Sequence, residues 1–160
     1  MDKIHQLACR LGEQLLQRRM MLATAESCTG GWISKIITDI PGSSRWFERG
    51  FVTYTNIAKR EMLGVHAGTL EAFGAVSEQT VLEMARGALR YSHAQLSIAV
   101  SGIAGPGGAV PGKPVGTVWF AWAGPGEGVD TYMERFYGDR EEVRQGAVRV
   151  ALEGLCDAAG

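Results

Sequence analysis

Apolar runs of strand length alternate along this chain with stretches of helical period, and that alternation restricts it to a layered α/β fold. The first helical stretch sets Ile4, Leu7, Ala8, Leu11, Leu15 and Leu16 on one stripe. An apolar run over 20–26 ends in Ser27-Cys28-Thr29-Gly30-Gly31, after which Trp32, Ile33, Ile36, Ile37 and Ile40 resume helical spacing. Pro41-Gly42 stops that helix, and Ser43 and Ser44 are expected to cap one further turn carrying Trp46 and Phe47. Residues 50–55 read as a second strand and 56–63 as a short helix closed by Gly64. Ser77 with Thr80 opens a longer helix, 96–100 is a β-branched strand, and a glycine-rich loop continues to Pro114. Segments 115–123 and 131–137 predict an antiparallel hairpin joined through Gly124 to Gly128, and 139–158 a last helix. The hairpin makes the sheet mixed. The expectation is one α/β domain over residues 1–160, a three-layer α/β/α sandwich with a mixed, mostly parallel sheet.

In such sheets ligands gather at the carboxyl ends of strands. Turns after Glu26, Tyr54 and Val100 fall there, so they are expected to line one cleft. Glycine supplies 22 of the 160 residues, about twice its usual share, which suits tight turns and close backbone approach. Sixteen Lys and Arg against 17 Asp and Glu leave a net charge of -1. No basic excess advertises nucleic acid or an anionic membrane, so neither is an expected partner. No run nears the roughly 18 apolar residues of a membrane span, and neither a signal peptide nor an anchor is expected. Cys9, Cys28 and Cys156 are odd in number and far apart, which suits a reducing cytoplasm rather than a disulfide framework or metal knuckle. His5, His66 and His93 are equally scattered, so no metal is expected, and no histidine falls in the strand-end turns to build a Ser-His-Asp triad.

Gly107 to Lys113 has the outline of a phosphate-binding P-loop, but Pro114 replaces the required Ser or Thr and a strand follows instead of a helix. The motif is rejected. Ser27 is the sharpest candidate. At a strand-to-helix turn its hydroxyl is either a nucleophile beside oxyanion-binding N–H groups or a helix N-cap. Cys28 is a rival nucleophile without an evident base. Lys59 is either a surface lysine or, with its pKa pulled down by burial, a general base. Tyr54 either relays a proton or fixes that lysine by hydrogen bonding, or is a half-buried strand residue. Arg140 and Arg144 share one helix face, where they clamp an anionic ligand or pair with Glu141 or a neighbour. Trp119 and Trp122 are either core or subunit contacts, and a homo-oligomer is expected.

Five ordered motifs then carry a resemblance that spans nearly the whole chain: 24–31 (TAESCTGG), 50–54 (GFVTY), 101–106 (SGIAGP), 113–118 (KPVGTV) and 138–140 (GDR). Together they resemble the CinA C-terminal domain family, in a stand-alone form without the molybdopterin-binding-like domain of full-length members. The resemblance implies hydrolysis of the carboxamide of nicotinamide mononucleotide to nicotinic acid mononucleotide and ammonia, in pyridine nucleotide salvage, with no cofactor. It implies Ser27 as nucleophile, Lys59 as base and Tyr54 as proton relay or lysine partner. It further implies an oxyanion site around Thr29, Gly30 and Gly31. Ribose and phosphate would be held by Gly102, Ile103, Ala104, Gly105 and Arg140, with Asn56 also in the substrate site. The alternative is a non-catalytic nucleotide-binding or regulatory module linked to competence or the DNA damage response.

Overall fold

The structure, a computed structural model, describes residues 2–126 and 128–160. Met1 and Glu127, the latter in the expected hairpin turn, lie outside the described residues. The element order is α1 (Lys3–Arg18), β1 (Leu22–Glu26), α2 (Trp32–Thr38), a 3-10 turn (Ser43–Arg45), β2 (Phe47–Val52), α3 (Asn56–Leu63), α4 (Ala67–Phe73), α5 (Glu78–Arg90), β3 (Leu96–Gly102), β4 (Thr117–Ala123), β5 (Val129–Arg135) and α6 (Arg140–Ala159). One five-stranded sheet has the order β2-β1-β3-β4-β5. Strands β2, β1 and β3 are parallel neighbours, and β4 alone runs against the rest. The sheet is thus mixed, with parallel strands at its centre.

Helix layers cover both faces. On one, Leu11, Leu15, Ile33, Ile37, Val148 and Leu152 pack on Leu22, Ile98 and Phe120. On the other, Leu63, Leu70, Val81 and Met84 pack on Ala25, Phe51 and Ala99. The two crossovers therefore use opposite faces: β1 reaches β2 through α2 on one side, and β2 reaches β3 through α3 to α5 on the other. The loops leaving the neighbouring strands β1 and β2 thus diverge at their carboxyl ends, which is where an open α/β sheet forms its crevice.

Local chemistry explains where the expectations hold and shift. Asn56–Leu63 ends at Gly64 with φ +70°, and Thr55 caps its start by accepting from the Ala58 N–H at 3.1 Å. Ser77 caps α5 through Thr80 N, as its position suggests. The turn after Pro41 is capped by Gly42, not by Ser43 or Ser44 side chains, and Phe47 already belongs to β2, which starts and ends three residues before the expected 50–55. Ile40 lies past the end of α2. Helix α4 was not among the expected elements, since Ala67-Gly68-Thr69-Leu70 offers one turn of pattern and a glycine. Trp119 and Trp122 pack on the two opposite helix layers, and the Trp122 indole N–H donates to the Ala151 carbonyl at 3.1 Å. Both serve the fold of one chain. Gly107 to Lys113 forms no helix, and Lys113 Nζ donates to the Phe73 carbonyl at 2.6 Å.

Candidate active site

Strand β1 ends in a buried carboxylate that shapes everything after it. Glu26 is 0% exposed and turns toward the α2 layer, where Oε1 accepts from Thr29 Oγ1 (2.7 Å) and Ile33 N (2.8 Å). Its Oε2 accepts from Ser34 N (2.9 Å) and Ser34 Oγ (2.8 Å). The carboxylate thus satisfies the otherwise orphaned amides of the first turn of α2 and folds the intervening loop against the strand. That loop needs left-handed backbone at Gly30 (φ +60°) and Gly31 (φ +103°), which glycine adopts without a Cβ clash. Arg144, reaching over from α6, fixes it from outside: Nε donates to the Cys28 carbonyl (3.0 Å), Nη2 to the Thr29 carbonyl (3.2 Å), and the guanidinium lies 5.5 Å from the Trp32 ring. The sequence reading did not single out Glu26. Its signal was a lone acid closing an apolar strand before a glycine turn.

Ser27, next along, projects to the opposite face. It is not a helix cap: Gly31 holds that position, and the Ser27 hydroxyl accepts from Lys59 Nζ at 2.9 Å. Lys59 sits one turn into α3, 1% exposed, with Nζ also donating to the carbonyls of Thr53 (3.0 Å) and Tyr54 (3.2 Å). No carboxylate pairs with it among the described residues. Burial lowers its pKa from 10.5 to about 8, against a small opposing contribution from Cys28. At pH 7 about a tenth is therefore free amine, and above pH 8 most of it. Its two N–H bonds then serve the two carbonyls and its lone pair faces the Ser27 hydroxyl proton. Cys28 is the reverse case: burial above all pushes its thiol up to about 12, so no thiolate forms at ordinary pH and it is unsuited to attack.

Ser27, Cys28, Tyr54, Lys59, Ser101, Gly102, Ala104 and Arg140 line one cavity of about 250 Å³, closed on one side by Ala75 and Val76 from the α4–α5 connection. The three strand-end turns do meet. Tyr54 is not a half-buried strand residue: it lies in the β2–α3 loop, 59% exposed, with its hydroxyl accepting from Arg140 Nη2 (3.2 Å). It meets Lys59 through its main-chain carbonyl and not through the phenol, because Lys59 approaches from beneath the loop while the ring projects toward α6. Arg140 Nη1 donates to the Gly105 carbonyl (2.9 Å), so this arginine bridges two rims of the cavity. Neither Arg140 nor Arg144 pairs with Glu141.

Other expected residues lie outside that cavity. Thr29, Gly30 and Gly31 line a second one, with Lys35, Glu141 and Arg144. The Gly30 N–H already donates to the Ser27 carbonyl at 3.0 Å, which removes it from any oxyanion site. The N–H groups of Cys28 and Thr29 have no acceptor among the described residues. Ile103 continues the β3–β4 pairing, donating to the Thr117 carbonyl (2.9 Å) and accepting from Gly116 N (2.8 Å). Asn56 is exposed at the start of α3 and does not line the cavity. Ser101, Ala75 and Val76 were missed as site residues. Ser101 had a signal in its place directly after the apolar run of β3, whereas the other two sit in a connection with no motif.

Comparison with known proteins agrees with this architecture. The family model of the CinA C-terminal domain matches residues 4–159. The nicotinamide-nucleotide amidohydrolase PncC of Escherichia coli (strain K12) is 54% identical over 155 residues, 96% of this chain and 93% of the relative. PncC of Pseudomonas putida is 52% identical over 155 residues, covering 97% of this chain and 96% of its own. The crystal structure of the competence/damage inducible protein CihA from Agrobacterium tumefaciens superposes with a TM-score of 0.94 at 50% identity, covering 99% of this chain and 96% of that one. With the match running from α1 through α6, this chain belongs to the CinA C-terminal domain family.

Proposed function

We propose that this protein hydrolyses the carboxamide of nicotinamide mononucleotide to nicotinic acid mononucleotide and ammonia. The observation that carries the reading is the 2.9 Å contact between Ser27 Oγ and the buried Nζ of Lys59, at the floor of a cavity rimmed by Arg140. The substrate class comes from the PncC relatives, each similar over more than nine-tenths of both chains.

An amide is a weak electrophile, so its hydrolysis needs an activated nucleophile, charge stabilisation on oxygen and a protonated leaving group. Neutral Lys59 takes the Ser27 proton as Oγ attacks the carboxamide carbon. Charge developing on the carbonyl oxygen is met by main-chain N–H of the β1–α2 turn, where that of Cys28, a residue of the cavity lining, has no main-chain acceptor among the described residues. The amide C–N bond then breaks, ammonia departs with a proton that originated on Ser27, and the nicotinate, with its ribose phosphate still attached, remains as an ester on Ser27. Water, activated by the same amine, hydrolyses the ester. Arg140 faces the substrate phosphate, whose binding energy orients the distant carboxamide.

Purified protein in EDTA is expected to release ammonia from nicotinamide mononucleotide but not from nicotinamide or its riboside, which lack the phosphate. Binding of the mononucleotide without ammonia would instead mark a nucleotide-binding regulatory module.

A further inference from the structure

The carboxyl ends of three neighbouring parallel strands set three hydroxyl residues in one row. Glu26 is paired with Val52 on one side and Val100 on the other. The ladder continues one step further, from Thr53 N to the Glu26 carbonyl (2.9 Å) and from Ser27 N to the Val100 carbonyl (3.0 Å). The next row is therefore Thr53, Ser27 and Ser101. Two positions earlier, Phe51, Ala25 and Ala99 face the layer of α3 to α5, so strand alternation sends the three hydroxyls to that side, where Lys59 lies.

The three are engaged differently. Ser27 Oγ receives Lys59 Nζ. Thr53 holds Lys59 by its carbonyl and keeps its own hydroxyl buried outside the cavity lining. Ser101 is 1% exposed and lines the cavity with Ser27 and Lys59, yet its hydroxyl has no protein partner among the described residues. Unlike the Thr53 hydroxyl, which is sealed away, that of Ser101 is reached from the cavity and stays open to the polar atoms of a ligand that fills it.

We propose that Ser101 is a further catalytic residue: its hydroxyl protonates the amide nitrogen as the C–N bond breaks. This inference rests on the amidohydrolase reading above. After Ser27 attacks, the proton to be delivered sits on Lys59, tethered by the Thr53 and Tyr54 carbonyls on the nucleophile's side. Ser101, on the neighbouring strand, flanks the reacting carbon from the other side. As the tetrahedral intermediate collapses, the C–N electron pair goes to nitrogen and Ser101 gives that nitrogen its proton. Ammonia leaves, and the Lys59 ammonium restores the Ser101 hydroxyl and returns to amine. The net transfer is one proton from Ser27 to ammonia.

The test compares Ser101→Ala with wild type on two substrates: nicotinamide mononucleotide and the trifluoroethyl ester of nicotinic acid mononucleotide, whose leaving oxygen needs little protonation. The expected result is a loss of about 10²–10⁴-fold in kcat on the amide, the range for a positioned general acid. Ester turnover and affinity for nicotinic acid mononucleotide should stay within a few-fold of wild type. Equal losses on both substrates, or no loss on the amide, would overturn the role of Ser101. Wild type that releases no ammonia from the mononucleotide would instead overturn the amidohydrolase reading on which it stands.

Discussion

A lysine 1% exposed with no carboxylate beside it is a costly residue to fold around, and that cost bears on both activity and stability. Lys59 titrates at about 8 in the fold against 10.5 in its ordinary state. Because the folded pKa is the lower one, the burial cost is fully present below pH 8 and is relieved as pH rises from about 8 to 10.5. The rate of ammonia release should rise with pH through one ionisation near 8, since only the free amine accepts the Ser27 proton. Lys59→Met should lose about 10²–10⁴-fold in kcat. It should also lose the gain in stability that wild type shows as pH rises from about 8 to 10.5, because no buried amine remains to titrate. Calorimetry across pH checks this. Cys28→Ala should keep ammonia release within a few-fold, because a thiol held near 12 contributes no nucleophile. Ser27 and Lys59 were legible in the sequence as candidates, one in the turn after β1 and the other just past the turn after β2. The phenol of Tyr54 was not, because its direction is set by Arg140, 86 positions away.

At the scale of elements, the loop between β1 and α2 is held by side chains from both of its ends. Glu26 caps the helix from the strand, and Arg144 pins the turn from α6. Glu26→Gln replaces one acceptor oxygen with an N–H₂ group that confronts donors such as Ile33 N or Ser34 N. It should cost about 1–3 kcal/mol, the range for leaving buried donors unpaired. Thermal denaturation reads this as a fall of roughly 2–4 °C per kcal/mol for a chain of this size. Activity should fall with it, since the same turn carries Ser27. Elements with their own caps were readable in advance: Thr55 and Gly64 bracket α3, and Ser77 opens α5. Where the partner is remote the reading slipped, as with β2, which begins at Phe47 because its ladder with β1 begins there.

Over the whole molecule, the site exists because β1 lies between β2 and β3 and the crossovers that join these three strands lie on opposite faces. That layering follows from alternating periods and was legible, as was the meeting of three strand-end turns in one cleft. Which residues face that cleft was not. Loop residues 29–31 turn toward a second cavity, and Ala75 and Val76 close the first from a connection with no sequence signal. Phe120 shows how the sheet supports this arrangement from a distance. It is fully buried on β4, stacked 5.8 Å from Trp122 and edge-on to Phe136 at 6.3 Å. Phe120→Ala should therefore lower stability by about 3–5 kcal/mol in denaturant titrations. The surviving folded fraction should keep its kcat, since no atom of Phe120 lines the cavity.

The central claim is that Ser27, activated by Lys59, forms a bond to the substrate acyl group. Rapid acid quench of the enzyme turning over nicotinamide mononucleotide, followed by peptide mass mapping, tests it directly. The account predicts an acyl ester on Ser27 that carries the nicotinate with its ribose phosphate, absent in Ser27→Ala together with ammonia release. Undiminished ammonia release by Ser27→Ala, or an acyl group carried on Cys28 instead, would contradict it.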